Sequence, residues 1–165
     1  GDRALLRRAK VAGVKMTEQH APKADLFIKG MDMAIKGINH LTFIVRDLER
    51  TARLLCQGLG AHEVYDSQHK NYSLSREKFF VLGGIWLVIM EGEAVQRSYR
   101  HVAFTVDEDE LAVLEIRLRE LDVEIRPSRS RVTGEGRSLY FYDYDNNLFE
   151  LHTGTLGECL KRYAI

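Results

Sequence analysis

One strand-like stretch occurs twice in this chain. Residues 38–47 read INHLTFIVRD, and residues 99–108 read YRHVAFTVDE. In each, a histidine heads an apolar run rich in β-branched and aromatic residues, as strands prefer, and a charge follows. His40 and His101 stand 61 positions apart. A repeat of that period constrains the fold more than composition does.

The segments after each histidine repeat as well. DLERTARLLCQGLG carries Leu48, Ala52, Leu55 and Leu59 at helical spacing, with Asp47 as N-cap and Gly58 or Gly60 as stop. HEVYDS, YSLSREKFFVLGG and IWLVIMEG then read as three strands. In the second half DEDELAVLEIRLREL is an amphipathic helix with Leu111, Leu114, Leu118 and Leu121 inward, and VEIRP, RSLYFYD and LFELHTG close the unit. The expected fold class is therefore α+β, built of two βαβββ modules. Module one spans 36–93, module two spans 98–156, and 157–165 forms a C-terminal tail. Residues 1–35 read as an N-terminal extension to which no chemistry is assigned, with Met16, Met31 and Met33 as candidate starts.

Composition narrows the function classes. Lys plus Arg equals Asp plus Glu at 24 each, so the net charge is zero. That argues against a nucleic-acid partner and against a polybasic membrane anchor. No apolar run approaches the roughly 20 residues needed to span a bilayer, and the basic N-terminus lacks the apolar core of a signal peptide. The two cysteines, Cys56 and Cys159, form no disulfide framework and match no zinc spacing. A cytoplasmic location fits them.

Chemistry concentrates on alternate strand positions. Side chains alternate faces along a strand, so His40, Thr42 and Ile44 share one face, and His101, Ala103 and Thr105 share the matching face of the second copy. If the modules pack by pseudo-twofold symmetry, the two histidines converge. LFELH places Leu148, Glu150 and His152 together. A carboxylate between Phe149 and Leu151 is costly unless it is paired or bound to a metal. Two imidazoles and one carboxylate suit Mn, Fe or Zn, with positions left open for substrate. Module one has Val88 where module two has Glu150, so it adds no fourth ligand. His152 is left open between a partner of the ligands and a strand-end residue. His20, His62 and His69 sit in polar stretches and read as surface residues.

NHLTF, RHVAF and LFELH resemble the vicinal oxygen chelate superfamily of glyoxalases, extradiol dioxygenases and fosfomycin resistance proteins. SLSREKFF, GIWLVIMEGE, RVTGEGRSLYFYDYDN and FELHTGTL…LKRY narrow the resemblance to fosfomycin resistance proteins of the epoxide-hydrolase (X) type, over about residues 33–163. The resemblance implies a glyoxalase-like fold and Mn(II) held by His40, His101 and Glu150. It implies a homodimer in which modules pair across chains. It implies hydration of fosfomycin, an epoxide beside a phosphonate, with Glu77 as general base. Thr42, Arg131, Ser138 and Tyr140 are the expected substrate-binding residues, drawn from the Thr after His40 and from the stretch RPSRSRVTGEGRSLY. Arg129 and Arg137 lie in that stretch too, and Gly134 and Gly136 lend it backbone freedom to wrap an anion.

Other readings stay beside this one. A thiol transferase would act on the same epoxide, and Glu77 speaks against it as the main activity. A non-catalytic drug-binding protein of the same fold would not need the metal ligands. The chain also departs from its relatives: Cys159 stands where they carry Arg, and Asn146-Asn147 replaces the usual Asn-His. A lost cation weakens the expected grip on a phosphonate.

Overall fold

The computed structural model describes residues 34–70, 72–127 and 136–163. Module one comprises β1 (His40–Val45), α1 (Leu48–Arg53), which runs on into a π-helical turn (Leu54–Gly58), β2 (His62–Asp66), β3 (Glu77–Leu82) and β4 (Ile85–Glu91). Module two comprises β5 (His101–Thr105), α2 (Glu110–Glu120), β6 (Glu124–Arg126), β7 (Ser138–Tyr142) and β8 (Leu148–His152). A third helix, α3 (Leu156–Tyr163), occupies most of the expected tail. Each module folds into a four-stranded sheet, in the orders β1-β4-β3-β2 and β5-β8-β7-β6. The first and last strands of each module pair in parallel and the others antiparallel. The fold is the α+β repeat of βαβββ modules that the sequence pattern predicts.

Local chemistry explains the helices. Asp47 caps α1, its side chain accepting the Arg50 N–H at 2.9 Å, which satisfies one of the donors a helix start leaves free. The start of α3 is a capping box. Glu158 Oε2 accepts from the Thr155 N–H and hydroxyl, both at 2.8 Å, while the Glu158 N–H reaches back to Thr155 Oγ1 at 3.3 Å. β3 begins at Glu77, later than the sequence pattern predicts, because residues 72–75 bend and do not pair.

Alternation sends one face of each sheet into a shared core. Leu41, Phe43, Val45, Phe80, Leu87 and Ile89 of module one join Val102, Phe104, Leu139, Phe141, Phe149 and Leu151 of module two. The leucines of α1 and α2 complete it, Leu48 and Leu55 from one, Leu111, Leu114 and Leu118 from the other. The Phe43 and Phe149 rings meet across the modules, 4.9 Å apart. Where α1 ends, Gly58 lets α2 approach, since a Cβ there would lie 3.1 Å from Leu121 Cδ1. Polar bonds fix the modules further. Arg46 Nε donates to the buried Asp145 at 2.5 Å, and Asn147 Nδ2 donates to the Ile44 carbonyl at 3.2 Å. Asn147 also bonds Asp143, so the Asn146-Asn147 departure sits in a turn that ties module to module.

One buried cation breaks the apolar pattern. Lys78, only 4% exposed, reaches three carboxylates: Glu49 at 3.0 Å, Asp66 at 3.1 Å and Glu63 at 3.4 Å. It thereby ties α1 and β2 to β3, directly beside Glu77. Burial pulls the Lys78 pKa down, but Glu49, Asp66 and Glu63 outweigh it and the net direction is up. Asp66 moves the other way: burial raises it, and the Gln68 N–H with Lys78 and Arg76 bring it below its ordinary value. The signs define a window. Asp66 contributes stability above its ordinary pKa, near 4, and loses it as pH falls through the depressed folded value. Lys78 contributes below its ordinary pKa, near 10, and loses it as pH rises through the raised folded value. Lys78→Met should cost about 1–3 kcal/mol at pH 7, less than a fully buried pair because the carboxylates keep some solvent. Thermal melts against pH check this. The gap in Tm between variant and wild type should be constant through neutral pH and narrow below about pH 4 as the carboxylates protonate.

Candidate active site

The sheet faces turned away from the core carry the chemistry, and the ladder registers arrange each as a three-by-three grid. In module two, His101, Leu148 and Tyr142 form one row, Ala103, Glu150 and Tyr140 the next, and Thr105, His152 and Ser138 the third. In module one the corresponding rows are His40, Trp86 and Val81, then Thr42, Val88 and Phe79, then Ile44, Met90 and Glu77. His40 therefore matches His101, and Val88 stands in the place of Glu150. Glu77 stands in the place of Ser138, an equivalence that the strand sequences alone do not reveal because the two hairpins differ in length.

Glu150 is buried at 6% exposure and heavily partnered. Its Oε2 lies 3.0 Å from His101 Nε2. Ser138 donates a short hydrogen bond to its Oε1, and Tyr140 also bonds it. Burial alone would raise the Glu150 pKa. Ser138 and Tyr140, with His152 and His101 nearby, outweigh burial and set it below the ordinary carboxylate value. Tyr140 shifts upward, through burial first, then its bonds with Tyr99 and Glu150. Glu150 is thus held as a carboxylate while the Tyr140 hydroxyl keeps its proton.

Both predicted histidines are oriented by acceptors on Nδ1. His101 Nδ1 lies 2.8 Å from the Tyr99 carbonyl, and His40 Nδ1 lies 2.7 Å from Asn39 Oδ1. Those oxygens only accept, so each Nδ1 carries a proton, and Nε2 is the ring nitrogen left to take a second proton or a metal. His101 Nε2 faces the anionic Glu150 Oε2 across 3.0 Å. Two electron-rich atoms at that distance require a cation between them, either a proton or a metal. Adjacent ligands of an octahedral ion at about 2.1 Å also lie about 3 Å apart. The pair fits a divalent metal. Asn39 and Tyr99 escape the sequence reading, though each precedes its histidine by one or two residues.

The structure brings His101, Glu150, Ser138 and Tyr140 together on one face. His40 and Thr42 lie on the equivalent face of module one, where His40 packs against Trp86 with ring centres 4.6 Å apart. Among the described residues His40 makes no hydrogen bond, ion pair or ring contact with His101. Among the described residues, no three His, Cys, Asp or Glu side chains are grouped to hold a metal.

Glu77 shares the His40 face, in the row of Ile44 and Met90. Its backbone is fixed in both directions to Ser67, through Ser67 N–H to its carbonyl and its own N–H to Ser67 Oγ, each 3.0 Å. It is 8% exposed. Among the described residues its carboxylate makes no hydrogen bond or ion pair, which is rare for a buried carboxylate and characteristic of a functional one. It stands close enough to Tyr65 to help burial and Tyr72 raise that phenol's pKa.

The other expected residues divide. Arg131, Arg129, Gly134 and His20 lie outside the described residues. Arg137 points away from the site and pairs with Glu108 at 2.9 Å. Gly136, at φ +74°, is required by a close approach, since a Cβ there would lie 2.6 Å from the Gly154 nitrogen. His62 and His69 are exposed, as surface residues should be. Cys159 lies half-buried on α3.

A glyoxalase-type module pair with two histidines and a glutamate on its outer faces defines a class. The chain belongs to the Glyoxalase/Bleomycin resistance protein/Dioxygenase superfamily, whose family model matches residues 37–151. Within it, the chain is similar to the fosfomycin resistance protein FosX of Listeria innocua, 53% identical over 130 residues, or 78% of this chain and 98% of the relative. It is likewise similar to FosX of Mesorhizobium japonicum, 54% identical over 131 residues, 79% of this chain and 94% of the relative. A crystal structure of a variant of FosX from Listeria monocytogenes, complexed with Mn(II) and 1S,2S-dihydroxypropylphosphonic acid, superposes with a TM-score of 0.71. The two share 48% identity over 78% of this chain and 98% of that one. The metallothiol transferase FosB of Shouchella clausii is more distant, at 34% identity over 138 residues, 78% of this chain and 88% of the relative.

The metal assignment has a direct check. Isothermal titration of the purified protein with Mn(II) should give about one ion per chain. His40→Ala, His101→Ala and Glu150→Ala should each lower the affinity by more than a factor of ten, the loss expected even for weaker outer partners. Full occupancy in all three variants would contradict it.

Proposed function

We propose that this protein hydrates the epoxide of fosfomycin, or of a related epoxy-phosphonate, to a vicinal diol and thereby confers resistance. The observation that carries the reading is Glu77, a buried carboxylate without a hydrogen-bond or ion-pair partner among the described residues, on the face that also holds His40. The similarity to FosX supports it, since the diol phosphonate bound to the Listeria monocytogenes protein is what water addition to such an epoxide yields.

The proposed site needs two chains. His40 of one chain would join His101 and Glu150 of another around Mn(II), in a homodimer whose modules pair outer face to outer face. The metal, when bound, supplies Lewis acidity at the epoxide oxygen. The Tyr99 carbonyl and Asn39 Oδ1 hold the two imidazoles with Nε2 toward the ion. Thr42, Ser138, Tyr140 and Arg131 would bind the phosphonate. Glu77 takes a proton from the attacking water as the new C–O bond forms and the epoxide C–O bond breaks; the released oxygen takes a proton from solvent to become the second hydroxyl, and Glu77 returns its proton to solvent. General-base help of this kind contributes roughly 10²–10⁴-fold. The thiol-transferase reading gains nothing from Glu77, because a thiolate needs no base, and the FosB relatives are more distant.

Among the described residues no helix is long and apolar enough to cross a membrane. The two free thiols suit a reducing compartment, and a cytoplasmic location is part of the proposal.

Phosphorus NMR with fosfomycin and Mn(II), with and without added thiol, tests the reaction. The diol phosphonate should appear without thiol. Glu77→Gln should bind Mn(II) as wild type does and lose hydration by at least 10²-fold. Undiminished hydration in that variant would place the base elsewhere, and product formed only with thiol would favour the transferase. On the same assay Cys159→Arg should lower KM about tenfold or more, as a charge-assisted hydrogen bond of roughly 1.5–3 kcal/mol is added. An unchanged or higher KM would show that another cation fills that role.

A further inference from the structure

The position of His152 has a consequence for Glu150. Its Nδ1 lies 2.8 Å from Ser138 Oγ, and Ser138 donates to Glu150 Oε1. From His152 Nδ1 to Glu150 Oε1 is 3.6 Å, beyond hydrogen-bond reach. A serine hydroxyl has one proton, and an ionised carboxylate only accepts. The Ser138 proton therefore lies toward Glu150, and His152 Nδ1 must carry a proton and donate it to the Ser138 lone pair. The bonds run in one direction, from Nδ1–H to Oγ–H to Oε1, an arrangement in which each bond polarises the next.

We propose that His152 is a positioning residue for Glu150, acting through Ser138. It fixes the hydroxyl rotor, the hydroxyl holds Oε1, and Oε2 is left turned toward His101 Nε2 at 3.0 Å. This rests on the reading of Glu150 as a metal ligand and extends it to the residues that aim it.

The other module supplies an internal control. Its grid has Val88 where Glu150 stands, Met90 where His152 stands and Glu77 where Ser138 stands. Where the carboxylate is missing, both members of the hydrogen-bonded chain are missing too. A strand-end histidine with a general packing role would show no such correspondence. It follows that the proton of Ser138 belongs to Glu150 before any substrate arrives, so Ser138 meets a phosphonate only as a lone-pair donor or by giving that bond up.

Two substitutions separate the nitrogens. In His152→Asn the side-chain amide can occupy the place of Nδ1 and still donate to Ser138. In His152→Gln the amide falls near Nε2 and cannot. Mn(II) affinity, read by the electron paramagnetic resonance of free Mn(II) in titrations of the metal-free protein, is the measure. His152→Gln should bind Mn(II) about 10–100-fold more weakly, the range for removing an outer partner. His152→Asn should stay within about threefold of wild type on the same scale. Ser138→Ala should match the Gln variant, and the double variant Ser138→Ala with His152→Gln should be no weaker than either alone, because one chain of bonds is broken once. Circular dichroism confirms that each variant is folded. Equal behaviour of the Asn and Gln variants, or losses that multiply in the double variant, would overturn the inference. Failure of the wild type to bind Mn(II) would overturn the metal reading itself, and this inference with it.

Discussion

The burial of Glu150 is the constraint around which the site is built. A carboxylate at 6% exposure in an otherwise apolar strand carries a desolvation cost of several kcal/mol unless its lone pairs are engaged. Ser138, Tyr140 and His101 engage them, and each reaches Glu150 because the β5-β8-β7 register places it in the same or an adjoining row. The same alternation that turns Phe149 and Leu151 into the core turns Glu150 out of it. Metal ligation and core packing are therefore two faces of one strand, and a one-residue register slip would destroy both.

Much of this was legible in the sequence, for a physical reason. Strands with one buried face write a period-two pattern, and a tandem repeat writes it twice, so His40, His101 and Glu150 could be placed on matching faces from spacing alone. Asp47 announced its helix in the same way. The capping box Thr155–Glu158 was equally visible, yet the segment after it reads as a tail because its apolar face is short. What spacing could not show was partnership across strands. His152 could be placed on the Glu150 face, but only the β7-β8 register sets it opposite Ser138. Lys78 carried no signal of its own in the sequence. The register buries it beneath α1 among three carboxylates and turns Glu77 to the opposite face.

The two modules share an ancestry of form but divide the work. Module two holds the carboxylate and the hydroxyls around it. Module one offers His40, an aromatic wall in which Phe79 packs between Tyr65 and Trp86, and Glu77 with no partner among the described residues. Among the described residues neither face groups three His, Cys, Asp or Glu side chains to hold a metal. The function proposed above requires a second chain to bring a module-one face over a module-two face.

Subunit complementation tests that requirement most directly. His40→Ala and Glu150→Ala chains, each inactive alone, are mixed under conditions that exchange subunits and assayed for Mn(II)-dependent loss of fosfomycin. If each site takes His40 from one chain and Glu150 from the other, a mixed dimer has one doubly altered site and one intact site, and up to half of wild-type activity per mixed dimer returns. If each site is built within a single chain, every site in the mixture carries a lesion, and no activity would return.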